Sequence, residues 1–176
     1  MRDERLAGLV LVVLLAAHTA LKVQLGLLPE MLWLCHLATA WAALGLVLGR
    51  PSWAVVAGLF HVACGGPGWI LEIFLHGTTV TSTLRHLATP AVGLWMGRRH
   101  GMPRWMPLGW LGLWGVGWAA GRCFDPALNL NLAWRAYEPW SPETPVWLYQ
   151  ICNLVLLLGL MTLMRLVLNR LWRPRA

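Results

Sequence analysis

Cys35 and His86 are the residues of this chain best suited to covalent chemistry. A thiolate is a strong nucleophile and an imidazole tunes its protonation, so a Cys with a His base suits acyl transfer. His36 is nearer to Cys35 in sequence, but adjacent residues on a helix diverge by about 100°. His86 is therefore the better candidate base. Arg85, or the loop residues Asn129 and Asn131, would then hold an anionic headgroup or an oxyanion.

Other ionisable residues share the same apolar surroundings. His18 and Lys22 stand four apart, as do Glu72 and His76, so each pair shares a helix face. The second spacing also lets one face supply two metal ligands, with His86, His36 or His18 to complete the set. A helix-end hydrogen bond is the favoured reading of Glu72 and His76, and no metal ligand is assigned. Glu72 and Arg85 can equally be an intramembrane ion pair, with Lys22 joining it or snorkelling to the surface. His61 and His86 lie within apolar runs, where an axial ligand to haem or a chlorophyll-type pigment would sit. The four cysteines form no CxxC pair. Cys123 and Cys152 fall on one side of the chain's predicted topology, where a disulfide between them is conceivable.

The elements that must position these residues are helices in a membrane. The 176 residues are 58% hydrophobic and 12% charged, with a mean hydropathy of +0.59. Soluble domains carry roughly 25% charge. Crossing a bilayer takes about 20 apolar residues, and six stretches qualify. They run roughly Leu6–Leu28, Met31–Gly49, Trp53–Leu75, Thr79–Gly97, Trp105–Arg122 and Val146–Trp172. The fold class expected is an all-α polytopic bundle of six transmembrane helices, forming a single domain. The N-terminal run is too long for a signal peptide and lacks a good cleavage site, so it is read as a retained span. Gly65-Gly66-Pro67-Gly68 lies inside the third run and predicts either a kink or a break lining a cavity.

A net charge of +7 would suggest nucleic acid in a soluble protein. Here the basic residues flank apolar runs, so the positive-inside rule accounts for them and no nucleic-acid partner is expected. Arg2, Arg5, Arg50, Arg98, Arg99, Arg104, Arg170, Arg173 and Arg175 fall on one side. Both termini are therefore expected in the cytoplasm, in a bacterial inner membrane. Threading the runs puts His18, Lys22, Cys35, His36, Glu72, His76, Arg85, His86, Asn129 and Asn131 toward the outer leaflet. Thirteen Trp, several near the ends of runs, fit the interfacial preference of that side chain. A charged group in hydrocarbon is costly, so residues gathered at one depth point to a pocket or a partner.

This layout resembles the androgen-induced-gene and FAR-type membrane hydrolase family. The matching segments are Leu32-Trp33-Leu34-Cys35-His36 and Arg85-His86-Leu87-Ala88-Thr89-Pro90, with Pro145-Val146-Trp147-Leu148-Tyr149 before the last apolar run. Asn129-Leu130-Asn131 is similar to an element of uncharacterised bacterial membrane-associated proteins of this size. The resemblance covers most of the chain, in topology and scattered residues. It implies a nucleophile near the start of the second span, a His in the fourth, and hydrolysis of lipid esters within the membrane. The hydrolases typically carry Thr where Cys35 stands here, whereas a related six-span acyltransferase group uses Cys. The expected function is a lipid-ester hydrolase or acyl-transfer enzyme acting on membrane lipids. The alternative is a non-catalytic accessory or scaffold subunit of a larger redox or photosynthetic complex, with other membrane subunits as partners.

Overall fold

The computed structural model describes residues 2–124, 126–133 and 143–172. These form six helices, with no strand among the described residues. Helix α1 is Arg2–Gln24 and α2 is Leu34–Val47. Helix α3 covers 51–76 in three joined parts: Pro51–Phe60, a π-helical turn His61–Gly65, and Gly66–His76. Helices α4, α5 and α6 are Val80–His100, Met106–Arg122 and Val146–Leu171.

The boundaries follow local chemistry. Pro51 opens α3 at a position where its missing N–H costs nothing. Thr79 caps α4 by accepting a hydrogen bond from the Ser82 backbone N–H at 3.2 Å. Helices α3 and α4 end on Gly77 and Gly101, whose φ values of 77° and 79° favour glycine. The second helix starts later than the apolar run predicted. Pro29 lies in a 3-10 turn, Leu28–Leu32, and Trp33 is extended (φ −57°, ψ 139°), so α2 begins at Leu34. The first helix stops at Gln24, before Gly26 (φ 71°).

The glycine-rich stretch of α3 remains helical. A proline ring clashes with the carbonyl four residues back and offers no N–H. The π turn widens the helix just before Pro67, and the Gly66 N–H reaches the His61 carbonyl. A Cβ on Gly66 would stand 2.9 Å from that oxygen, which explains the glycine.

Small residues bring the helices close. Gly58 of α3 meets Gly93 of α4, and a Cβ on Gly58 would lie 2.4 Å from the Gly93 Cα. Around that crossing Ala38, Ala42, Ala54, Val56 and Ala57 are fully buried. Helices α1 and α4 run antiparallel. His18 meets Thr81 at one end of the pair, and Glu4 meets Arg99 and His100 at the other.

Helices α1 and α6 are long and apolar enough to cross a membrane, whereas α2 and Pro51–Gly65 are shorter apolar helices. At 1.5 Å per residue the 14 residues of α2 reach only about 21 Å. Neither long helix is wrapped in protein: Leu6, Val13, Val155, Leu156 and Leu171 are each 60% exposed or more. An apolar surface of that extent calls for lipid or another chain.

Candidate functional site

The first four helices each send a histidine to one end of the bundle: His18, His36, His61 and His86. All four are buried, and Arg85 lies among them at 1% exposure. Helix periodicity builds the inward stripe. Thr81, Arg85 and Thr89 recur every four residues on α4, as do Cys35 and Thr39 on α2, so each set shares a face.

The guanidinium is the hub. Its Nη2 donates to His86 Nε2 at 2.8 Å and approaches Cys35 Sγ at 3.7 Å. Its Nη1 donates to Thr39 Oγ1 at 3.4 Å. Thr39 also donates to the Cys35 carbonyl at 2.9 Å and pairs with Thr89 at 3.1 Å. These bonds tie α2 to α4. His18 Nδ1 bonds Thr81 Oγ1 at 2.9 Å, and the His18 and His36 rings lie 5.0 Å apart. The His36 Nδ1–H donates to the Glu30 carbonyl at 2.8 Å. His61 packs on His86 with centroids 5.3 Å apart, and Trp69 stacks flat on His86 at 5.1 Å and 6°.

These partners assign the ring protons. Arginine only donates, so His86 Nε2 accepts and the proton of its neutral ring sits on Nδ1. That atom is buried and has no hydrogen-bond partner. The His61 Nδ1–H donates to the Ala57 carbonyl at 3.2 Å. Its Nε2 is thus an acceptor, also buried and unpartnered. Arg85 Nε is a third such atom.

Five of the ten predicted site residues therefore meet: His18, Cys35, His36, Arg85 and His86. Cys35 and His86 do not bond to each other, but both contact the same Nη2 atom. The other residues divide. Lys22 pairs with Glu30 and so leaves the cluster. Asn131 serves the backbone: its Oδ1 accepts from the Leu34 N–H at 2.7 Å. Its Nδ2 donates to the Leu32 and Gly117 carbonyls at 2.9 and 2.7 Å. Asn129 and Asn131 both take left-handed backbone angles, φ 41° and 54°, which asparagine tolerates. The side chains of Glu72 and His76 lie outside the described residues, so their pairing with each other or with Arg85 is not assigned.

In sequence His61 stands out only as a histidine within an apolar run, outside the predicted polar cluster, whereas it packs against His86. Thr39, Thr89 and Trp69 also join the cluster without having been expected there. The i, i+4 repeats could have found the threonines. Trp69 follows the π turn, which shifts the helical register and defeats a 3.6-residue period. Cys123 and Cys152 are both exposed and unpaired, so the conceivable disulfide is absent. Among the described residues, no group of three or more His, Cys, Asp or Glu is arranged to hold a metal ion.

On the opposite face of α1, Val12, Ala16 and Ala20 form an apolar groove against Ala40, Ala43 and Leu44 of α2. Its volume is about 810 Å³, and it reaches Val23 and Gln24, beside Lys22. Comparison with family models, curated proteins and solved structures returned no match.

Proposed function

We propose that this chain is a six-span inner-membrane protein with both termini in the cytoplasm, acting on lipid esters by acyl transfer or hydrolysis at Cys35. One observation carries the reading: Cys35 of α2 and His86 of α4 converge on a single guanidinium nitrogen of Arg85. A candidate nucleophile, a candidate base and a cation thus occupy one buried point. In the reaction, His86 takes the thiol proton and Cys35 sulfur attacks the ester carbonyl. The carbon–oxygen bond breaks, the alcohol leaves with the proton returned by His86, and an acyl thioester remains on Cys35. Water or a second alcohol then attacks the thioester, giving up a proton as the thiol re-forms.

The test is labelling of the purified chain with a lipid-shaped electrophile, read by mass spectrometry. Cys35 should carry the label, and His86→Ala should abolish it. Label at Cys64, Cys123 or Cys152 with Cys35 untouched would remove the proposal.

A second reading draws on His61. Its buried, unpartnered Nε2 is the atom an axial ligand uses. An accessory subunit holding haem or a chlorophyll-type pigment would show a Soret or Qy band and co-purify with other membrane chains. A colourless, separately purified protein would exclude it.

A further inference from the structure

We propose that the Arg85 cluster binds an oxyanion, a carboxylate or a phosphate with at least two acceptor oxygens. This rests on the same cluster as the acyl-transfer reading, but requires no chemistry at Cys35.

The starting point is a buried guanidinium that no carboxylate meets among the described residues. Arg85 is 1% exposed and, among the described residues, makes three side-chain hydrogen bonds, to Thr39, Cys35 and His86, none of them an anion in the bonding described above. Among the described residues no carboxylate pairs with it. Glu30 is committed to Lys22, and Glu4 lies at the far end of α4 with Arg99 and His100. Buried charges in proteins are ordinarily paired, because an isolated one forfeits its hydration.

The hydrogen-bond inventory says what is missing. Arg85 Nε–H and His86 Nδ1–H are buried donors with no acceptor, and His61 Nε2 is a buried acceptor with no donor. Such orphans are few in native proteins, and each calls for a reason. An oxyanion supplies negative charge and acceptor oxygens to both donors, in the charge-assisted bonds that arginine favours. A hydroxyl on the same group, such as that of a hydrogen phosphate, would donate to His61. Water alone would fill the hydrogen bonds but leave the charge.

Trp69 marks the route in. Its ring covers His86, and its own Nε1 donates to Thr78 Oγ1 at 3.3 Å in an exposed bond. When an oxyanion draws the guanidinium toward it, His86 Nε2 is released to accept the Cys35 proton. Binding and activation would then be one event.

The experiment is thermal unfolding of the full chain in an uncharged maltoside detergent, titrated with palmitate, phosphatidic acid or inorganic phosphate. Diacylglycerol serves as the neutral control. At least one oxyanion should raise the midpoint saturably while diacylglycerol leaves it unchanged. A response to the lipids alone assigns the oxyanion to a headgroup, whereas an equal response to phosphate assigns a free ion. Arg85→Gln should weaken the response at least tenfold, and Arg85→Lys, which keeps the charge but loses the planar fork of donors, at least threefold. The midpoint is read without any label, so it stands apart from labelling at Cys35, and Cys123→Ser, at an exposed thiol, should bind as the native chain does. No response to any oxyanion, or native affinity in Arg85→Lys, would overturn the proposal.

Discussion

The two ends of α4 each hold an arginine beside a histidine, and they are built in opposite ways. At one end Arg99 and His100 share the Glu4 carboxylate, at 3.2 and 2.9 Å, with both basic side chains more than a third exposed. At the other, Arg85 and His86 are buried, bond to each other, and meet no carboxylate among the described residues. The first arrangement joins the negative start of α1 to the basic last turn of α4, as helix dipoles favour. It is complete in itself. The second leaves polar atoms unsatisfied at its centre, and a fold seeking only stability has no use for that. The same residue types therefore form a clasp at one end and a candidate site at the other.

The largest effect that would sharpen this contrast is chemical. His86→Ala should lower the rate of Cys35 acylation by about 100-fold or more, the usual range for a lost general base. Glu4→Gln should leave that rate unchanged, and equal losses in both variants would break the distinction. Next comes Asn131→Ala. Removing three hydrogen bonds to backbone groups of α2, α5 and the preceding turn should cost about 2–4 kcal/mol in denaturant unfolding. A negligible cost would show that α2 does not need this clasp to present Cys35.

Arg85→Met has the telling sign. Replacing a buried charge that meets no carboxylate among the described residues by an apolar side chain should leave ligand-free stability unchanged or raise it by about 1–2 kcal/mol. A clear loss of stability would mean that Arg85 is neutralised within the chain and resembles Arg99 after all. Glu4→Gln should have the smallest effect, about 0.5–1 kcal/mol and reduced by salt, because its partners face solvent. A larger value would make the clasp a principal support of the α1–α4 pair.

Much of the helix layout was legible because apolar run length and glycine or proline punctuation are local signals. The fourth, fifth and sixth helices start within a residue or so of the predicted spans. Helix α2 was misjudged at its start, since Met31 and Leu32 are as apolar as the helix that follows; Pro29 and the extended Trp33 decided the boundary. Within the site, Arg85 and His86 announced themselves by the cost of burying them. Thr39 and Thr89 did not, because a threonine in an apolar run has many innocent uses. Lys22 and Glu30 looked like separate features in sequence, and only the turn at Gly26 brings them together. Asn131 was noticed as a polar loop residue, but its service to the Leu34 N–H spans 97 positions and leaves no local trace.

The π turn of α3 amounts to a phase shift. One surplus residue enters the winding between Phe60 and Gly66, so everything beyond it is rotated relative to an uninterrupted helix by roughly 100°. Pro67, lacking an N–H, keeps that surplus from annealing out toward the end of the helix. Gly58, locked against Gly93, fixes the phase of the earlier part. Trp69 faces His86 because of an error in counting that the chain preserves, and deleting a single residue from 61–65 would turn the indole to another side of the bundle.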